Sequence, residues 1–233
     1  HKMKVLFVNP PNIRSDTSTV ENDFAVKAFI VPPFLGKFKL AQMLFRRLNK
    51  ITGLGNSVRY GVRAGSRWPF TMDQPLSDYA PYPFFMGYAA SNLRQHGFDV
   101  NILDAVAEME YDYAKFLQKI KLEESDIVVI ECSTPTIDID VWFANKIADF
   151  SKVALAGPHL NQTTVEEIKA DNPKITFYLI GEYILSSLKM AKSKKSGVYE
   201  SEVLKDIDSV PTPFRDYKSA IKYFDPSMPT PKP

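Results

Sequence analysis

Short segments that each carry an apolar stretch recur at nearly regular intervals from residue 98 onward: DVNILDA (99–105), DIVVIECS (126–133), KVALAG (152–157) and ITFYLIG (175–181). A fifth, KVLFV (4–8), lies near the start and is stopped by Asn9, Pro10 and Pro11. Runs this short that are apolar rather than alternating belong to strands buried on both faces. The segments between them carry helical spacing instead. Tyr113, Phe116, Leu117 and Ile120 share one helical face, and Val141, Ala144, Ile147 and Ala148 share another. Strands alternating with helices of this length describe βαβ units, whose right-handed crossovers build a parallel sheet covered on both sides.

The sequence therefore predicts an α/β fold: a flavodoxin-like (Rossmann-type) doubly wound five-stranded parallel sheet, with a helical insertion after the first strand. Gly97 closes the helix FFMGYAASNLRQH as a C′ glycine, and Thr163 with Glu166 forms a capping-box pattern ahead of VEEIKA. The domain is expected over residues 3–203. Residues 12–80 interrupt it where a minimal fold would enter its first helix. Within them FLGKFKLAQMLFRRLNKI (34–51) places Phe34, Phe38, Ala41, Phe45 and Leu48 on one face and carries Lys37, Lys39, Arg46, Arg47 and Lys50 with no acid. Such a segment reads as an amphipathic cap on the domain, or as a helix for a membrane surface or a partner. RAGSRWPF (63–70) offers Arg63, Arg67 and Trp68, which suit either a packed turn or the grip of an anionic group. Residues 204–233 are proline-rich and read as a linker or arm.

Composition removes several function classes. Lysine and arginine total 29 against 27 acids, so no global field favours nucleic acid. One cysteine, Cys132, excludes an internal disulfide framework and any two-cysteine metal motif, which suits a reducing, cytoplasmic setting. HExxH, EF-hand, GxGxxG and P-loop patterns are all absent.

In an open parallel sheet ligands lie beyond the carboxyl ends of the strands, where the strand order reverses. The residues just past the predicted strands are Asn9, Pro10, Pro11 and Asn12; Asp104 and Ala105; Ser133, Thr134, Pro135 and Thr136; Gly157, Pro158 and His159; and Gly181 with Glu182. This set supplies backbone amides and hydroxyls and few titratable groups, which suits holding a large ligand better than breaking bonds. Each residue also has a plain reading. Gly157 and Gly181 could serve tight turns, Ser133, Thr134 and Thr136 could cap a helix, and Asp104 could cap or bind a hydroxyl. Cys132 reads as a small buried apolar residue rather than a nucleophile, and His96 as a helix C-terminal residue.

The stretches KVLFVNPP, YPFFMGYAASNLRQHGFDVNILDA, DIVVIECSTPT, LAGPH and IGE fall in the order and spacing of one family. Together they resemble the N-terminal cobalamin-binding domain of the cobalamin-dependent radical S-adenosylmethionine enzymes. The resemblance covers about residues 4–11 and 79–216, including a tail, LKDIDSVPTPFRDY, similar to the linker into the catalytic barrel. It implies that Ser133, Thr134, Pro135 and Thr136 line the nucleotide tail of cobalamin, that Gly157, Pro158 and His159 form the fourth-strand loop, and that Gly181 and Glu182 form the fifth. Pro83 and Gly87 match its first-helix signature, and Pro10 and Pro11 lie at the edge of the corrin site. Two places depart from the pattern. Ala156 replaces the first glycine of Gly-Gly-Pro-His, and Tyr183 with Ile184 replaces the second Gly-Glu pair.

None of His1, His96 and His159 has the Asp-x-His-x-x-Gly context that places histidine below cobalt. The resemblance thus implies cobalamin held without a protein histidine on the metal. S-adenosylmethionine and a four-iron cluster would belong to a C-terminal radical domain outside this sequence, which would be the module's partner. A methyltransferase or related reaction on a small molecule, conceivably apolar or lipid-like, is the implied activity, with none expected from this chain alone. Two other readings stand beside it: a cofactor-free flavodoxin-like interaction or regulatory module, and a flavin or nucleotide binder.

Overall fold

The computed structural model describes residues 2–11, 13–15, 38–52, 58–60, 82–108, 110, 112–215 and 223. Strand β1 (Lys4–Asn9) is followed by a two-stranded antiparallel ribbon of β2 (Ile13–Ser15) and β3 (Val58–Tyr60), with helix α1 (Lys39–Thr52) between its strands. The insertion is thus partly a ribbon rather than helical alone. Helix α2 (Phe84–Gln95) then leads into β4 (Asp99–Asp104), the short α3 (Ala105–Glu108) and α4 (Tyr113–Leu122). Four further strands follow, β5 (Ile127–Glu131), β6 (Lys152–Ala156), β7 (Phe177–Ile180) and β8 (Gly197–Glu200). They are joined by α5 (Ile137–Ile147), α6 (Gln162–Asp171) and α7 (Tyr183–Ser193).

The main sheet runs β4-β1-β5-β6-β7-β8 and every pair in it is parallel. This is the expected doubly wound order with one strand added. The sixth strand escaped the apolar-run criterion for a physical reason. Among the described residues GVYE pairs along one side only, and it alternates between half-buried and exposed positions, so it has no need of a continuous apolar stretch.

Side-chain alternation sorts the core into two layers. Leu6, Val8, Val128, Ile130, Val153 and Leu155 face Phe116 and Ile120 of α4, Ile139, Phe143 and Ile147 of α5 and Val165 of α6. Val5, Phe7, Ile127, Val129, Ala154 and Leu179 face Met86, Ala90 and Leu93 of α2 and Tyr183 and Met190 of α7. Burying an aromatic or branched aliphatic side chain of this kind contributes roughly 1.5–3 kcal/mol, so both layers help fix the register of the central strands. In α5 the buried stripe is Ile139, Phe143, Ala144 and Ile147, with Val141 only partly covered.

The helix ends show what local chemistry sets. Gly97, with φ 89°, receives the chain as α2 ends, and Phe98 N–H returns to the Leu93 carbonyl at 3.2 Å. The capping box of α6 is two residues earlier than the sequence pattern suggested. Asn161 accepts from Thr164 N–H, and the Thr164 hydroxyl accepts from Asn161 N–H, each at 3.0 Å. Asn161 outcompetes Thr163 because its amide oxygen reaches the N3 amide from the extended conformation a cap requires.

Candidate functional site

Strand order reverses between β1 and β5, and the carboxyl ends of the sheet there carry two different kinds of surface. The first is polar and open. After β5 the chain makes a single 3-10 turn, Thr134–Thr136, and enters α5. Thr136 Oγ1 lies 2.7 Å from Asp140 Oδ2 and 2.8 Å from Ser133 Oγ. Asp140 is buried in the first turn of α5, where the helix N-terminus favours its negative charge. A hydroxyl has one proton, and the shorter, charge-assisted bond takes it, so Thr136 donates to Asp140. Ser133 must then donate to Thr136. The half-buried Ser133 oxygen is left with only lone pairs for anything that approaches from outside.

The next loop joins this one directly. His159 Nδ1 lies 3.2 Å from Thr134 Oγ1, so the imidazole staples the loop after β6 to the loop after β5. Gly157 makes the approach possible. Its φ is 111°, and a Cβ there would sit 2.5 Å from the Cys132 carbonyl oxygen, so only glycine fits. Thr134 and Pro158 are exposed and His159 is half-buried. Cys132 itself is buried, with Sγ 3.7 Å from the Ile130 carbonyl, which places it in the core and not at the surface of the site.

The second surface is closed by tyrosines. Tyr183, the first residue of α7, is buried with its ring stacked on Phe7 of β1 at 6.4 Å, and its hydroxyl donates to Glu131 Oε2 at the end of β5. Burial first, then the neighbouring Glu131 charge, pushes this phenol far above its ordinary range. On the other side of β1, Asn9 Nδ2 donates to Asp104 Oδ1 at 2.9 Å across paired strand ends. Tyr223 packs there, buried, with its hydroxyl bonded to Asp104 and its ring edge-on to Tyr82 at 5.0 Å. Its phenol is also raised, by burial and then by the Asp104 charge. The tail reaches this place over α2. Phe214 N–H donates to the Gly87 carbonyl at 2.9 Å, Tyr82 donates to the Phe214 carbonyl, and the Arg215 guanidinium lies 5.2 Å from the Tyr82 ring centre. At Phe214, Arg215 and Tyr223 the proline-rich tail is therefore an arm lying on this domain.

These surfaces divide the residues expected from sequence. Ser133, Thr134, Thr136, Gly157, Pro158 and His159 come together in the open part, and Pro135 lies in the same turn. Gly181 and Glu182 are exposed at the end of β7; a Cβ on Gly181 would meet Ser201 Oγ at 2.6 Å, so that glycine serves the junction with β8. Pro10, Pro11, Pro83 and Asp104 are buried. Gly87 is glycine because any Cβ would overlap the Tyr82 ring, and it underlies the tail. Asn12 lies outside the described residues, as do Arg63, Arg67 and Trp68. Sequence reasoning missed Asp140, Glu131, Tyr82 and Tyr223. Of these Asp140 had a readable signal, a carboxylate one helical turn beyond Thr136 in the S-x-x-T loop.

Fold and site together define a doubly wound α/β domain with a hydroxyl-lined rim at its switch point. No family model, curated protein or solved structure matches the chain. Among the described residues no group of three or more His, Cys, Asp or Glu is placed to hold a metal ion, and no helix is long and apolar enough to cross a membrane.

Proposed function

We propose that this chain is a cobalamin-binding domain that presents the corrinoid to a radical S-adenosylmethionine domain, in a methyltransferase or related enzyme. The observation that carries the reading is the join between the Ser133–Thr136 loop and the Gly157–His159 loop at the switch point. It offers lone pairs and backbone groups. Cobalamin would supply the cobalt chemistry when bound; the residues here would bind, orient and shield it. Ser133 accepts hydrogen bonds, which suits the carboxamide groups around a corrin ring and disfavours the phosphate oxygens of a flavin or nucleotide. Gly157 keeps the backbone of its loop low enough for a broad ligand to lie across it.

The fit is one-sided. Tyr183 fills the space beside Phe7 where the family pattern has a glycine. The ligand would accordingly be held by Ser133, Thr134, Pro158, His159, Gly181 and Glu182. The reading places no imidazole on cobalt; of the two described histidines, His96 Nδ1 rests 2.8 Å from the Asn92 carbonyl in the last turn of α2, and His159 Nδ1 faces Thr134.

The test is to mix the chain with hydroxocobalamin, remove free ligand by gel filtration and record the absorption spectrum. A corrin band travelling with the protein supports the reading. Its loss, with a flavin band retained in a parallel sample, would transfer the site to the nucleotide alternative. A second reading, an interaction module without cofactor, is favoured by the sealing tyrosines and by the exposed apolar residues of α1. Absence of both bands would favour it.

A further inference from the structure

Helix α1 carries an exposed apolar stripe that no other described element covers. Leu40, Leu44 and Ile51 are 73%, 56% and 82% exposed, and Met43, Leu48 and the preceding Phe38 are also exposed. At 100° per residue Leu40, Leu44 and Ile51 fall within about 40° of one another, with Met43 and Leu48 on either flank. Of the face expected to pack as a cap, Phe38 and Leu48 are exposed and Ala41 is half-buried, while Phe34 lies outside the described residues.

The charge on the same helix identifies what could cover the stripe. KLAQMLFRRLNKIT contains Lys39, Arg46, Arg47 and Lys50 and no acidic residue. Arg47 is exposed, and its helical position falls between Met43 and Leu40, within the apolar stripe. The whole chain has a formal charge of only +2, so this concentration is local. The core of a protein interface is depleted in lysine, whereas a helix lying in a lipid interface combines apolar residues with lysine and arginine. We infer that α1 is a membrane-surface helix that docks the domain onto anionic phospholipid, inserting Leu40, Leu44 and Ile51 among the acyl chains while its cations meet the headgroups.

This docking is independent of whether the rim holds a corrinoid. The experiment is co-sedimentation of the 233-residue chain with sucrose-loaded phosphatidylcholine vesicles, with and without phosphatidylserine, at low and high salt. The chain should pellet with the phosphatidylserine vesicles and be released at high salt. Arg47→Gln should weaken binding about fivefold, the effect of one cation near a charged surface. Leu44→Asp with Ile51→Asp should weaken it by roughly tenfold or more while leaving the far-ultraviolet circular dichroism unchanged, since both sites are exposed. Failure of the unsubstituted chain to pellet, or equal pelleting of the double variant, would overturn the inference. So would a dimer in solution that the double variant converts to monomer, because the stripe would then belong to a second copy.

Discussion

The two halves of the rim use the same kind of group, a hydroxyl beside a carboxylate, for opposite ends. In the open half the hydroxyls of Ser133 and Thr136 are aliphatic and short, and the carboxylate of Asp140 sits beneath them, so their alignment is fixed from below and the surface stays free. In the closed half the hydroxyls of Tyr183 and Tyr223 stand on large rings that fill the crevice before they reach Glu131 and Asp104. Polar chemistry alone does not mark a binding surface. What separates the halves is whether the carboxylate is approached from inside the fold or from the side a ligand would use.

Removing a ring should have the largest effect. Tyr183→Ala deletes a buried aromatic side chain stacked on Phe7 and is expected to cost about 4 kcal/mol in urea unfolding. If the ring is what closes this half, the variant should also retain more hydroxocobalamin than the parent chain. A cost under about 1 kcal/mol would mean the ring is not tightly packed.

The open half gives a smaller but more pointed contrast. Thr136→Val keeps the shape and removes the donor to a buried carboxylate, and should cost about 2 kcal/mol. Ser133→Ala removes the outward end of the same chain of hydroxyls and should cost no more than about 1 kcal/mol. Equal costs in chemical denaturation would contradict the polarity assigned to these groups.

The smallest effect is expected at Tyr178, whose hydroxyl is buried without a hydrogen-bond partner among the described residues. Tyr178→Phe should be neutral or stabilising by up to about 1 kcal/mol. Burial raises the phenols of Tyr178 and Tyr82 to about 12, the latter partly offset by Arg215. A phenol raised in the fold is favoured there in its neutral form. Its contribution is therefore complete below the unfolded value of about 10 and is lost as pH rises towards 12. Urea midpoints measured across that range should fall, and less steeply in Tyr178→Phe.

The central strands were legible because they are buried on both faces and so are apolar along most of their length, as IVVIE and KVALA are. The edge strand GVYE was not, because one open side relaxes that demand. The open half of the rim was legible for a related reason: its residues follow strand ends, and strand ends could be counted. The closed half depends on Tyr223 arriving from the far end of the chain onto Asp104, and on Tyr183 turning inward at the start of α7. Neither placement leaves a local pattern, since a tyrosine in the sequence looks the same whether its ring seals a crevice or faces solvent.

We propose that the hydroxyl rim at the strand-order reversal is a corrinoid seat. Equilibrium dialysis of hydroxocobalamin against the chain and against Thr134→Lys, a change at an exposed position on that rim, tests it most directly. The parent should take up one corrinoid per chain saturably, and the variant should show a severe loss with the fold intact. Identical uptake by the two, or none by the parent, would contradict it.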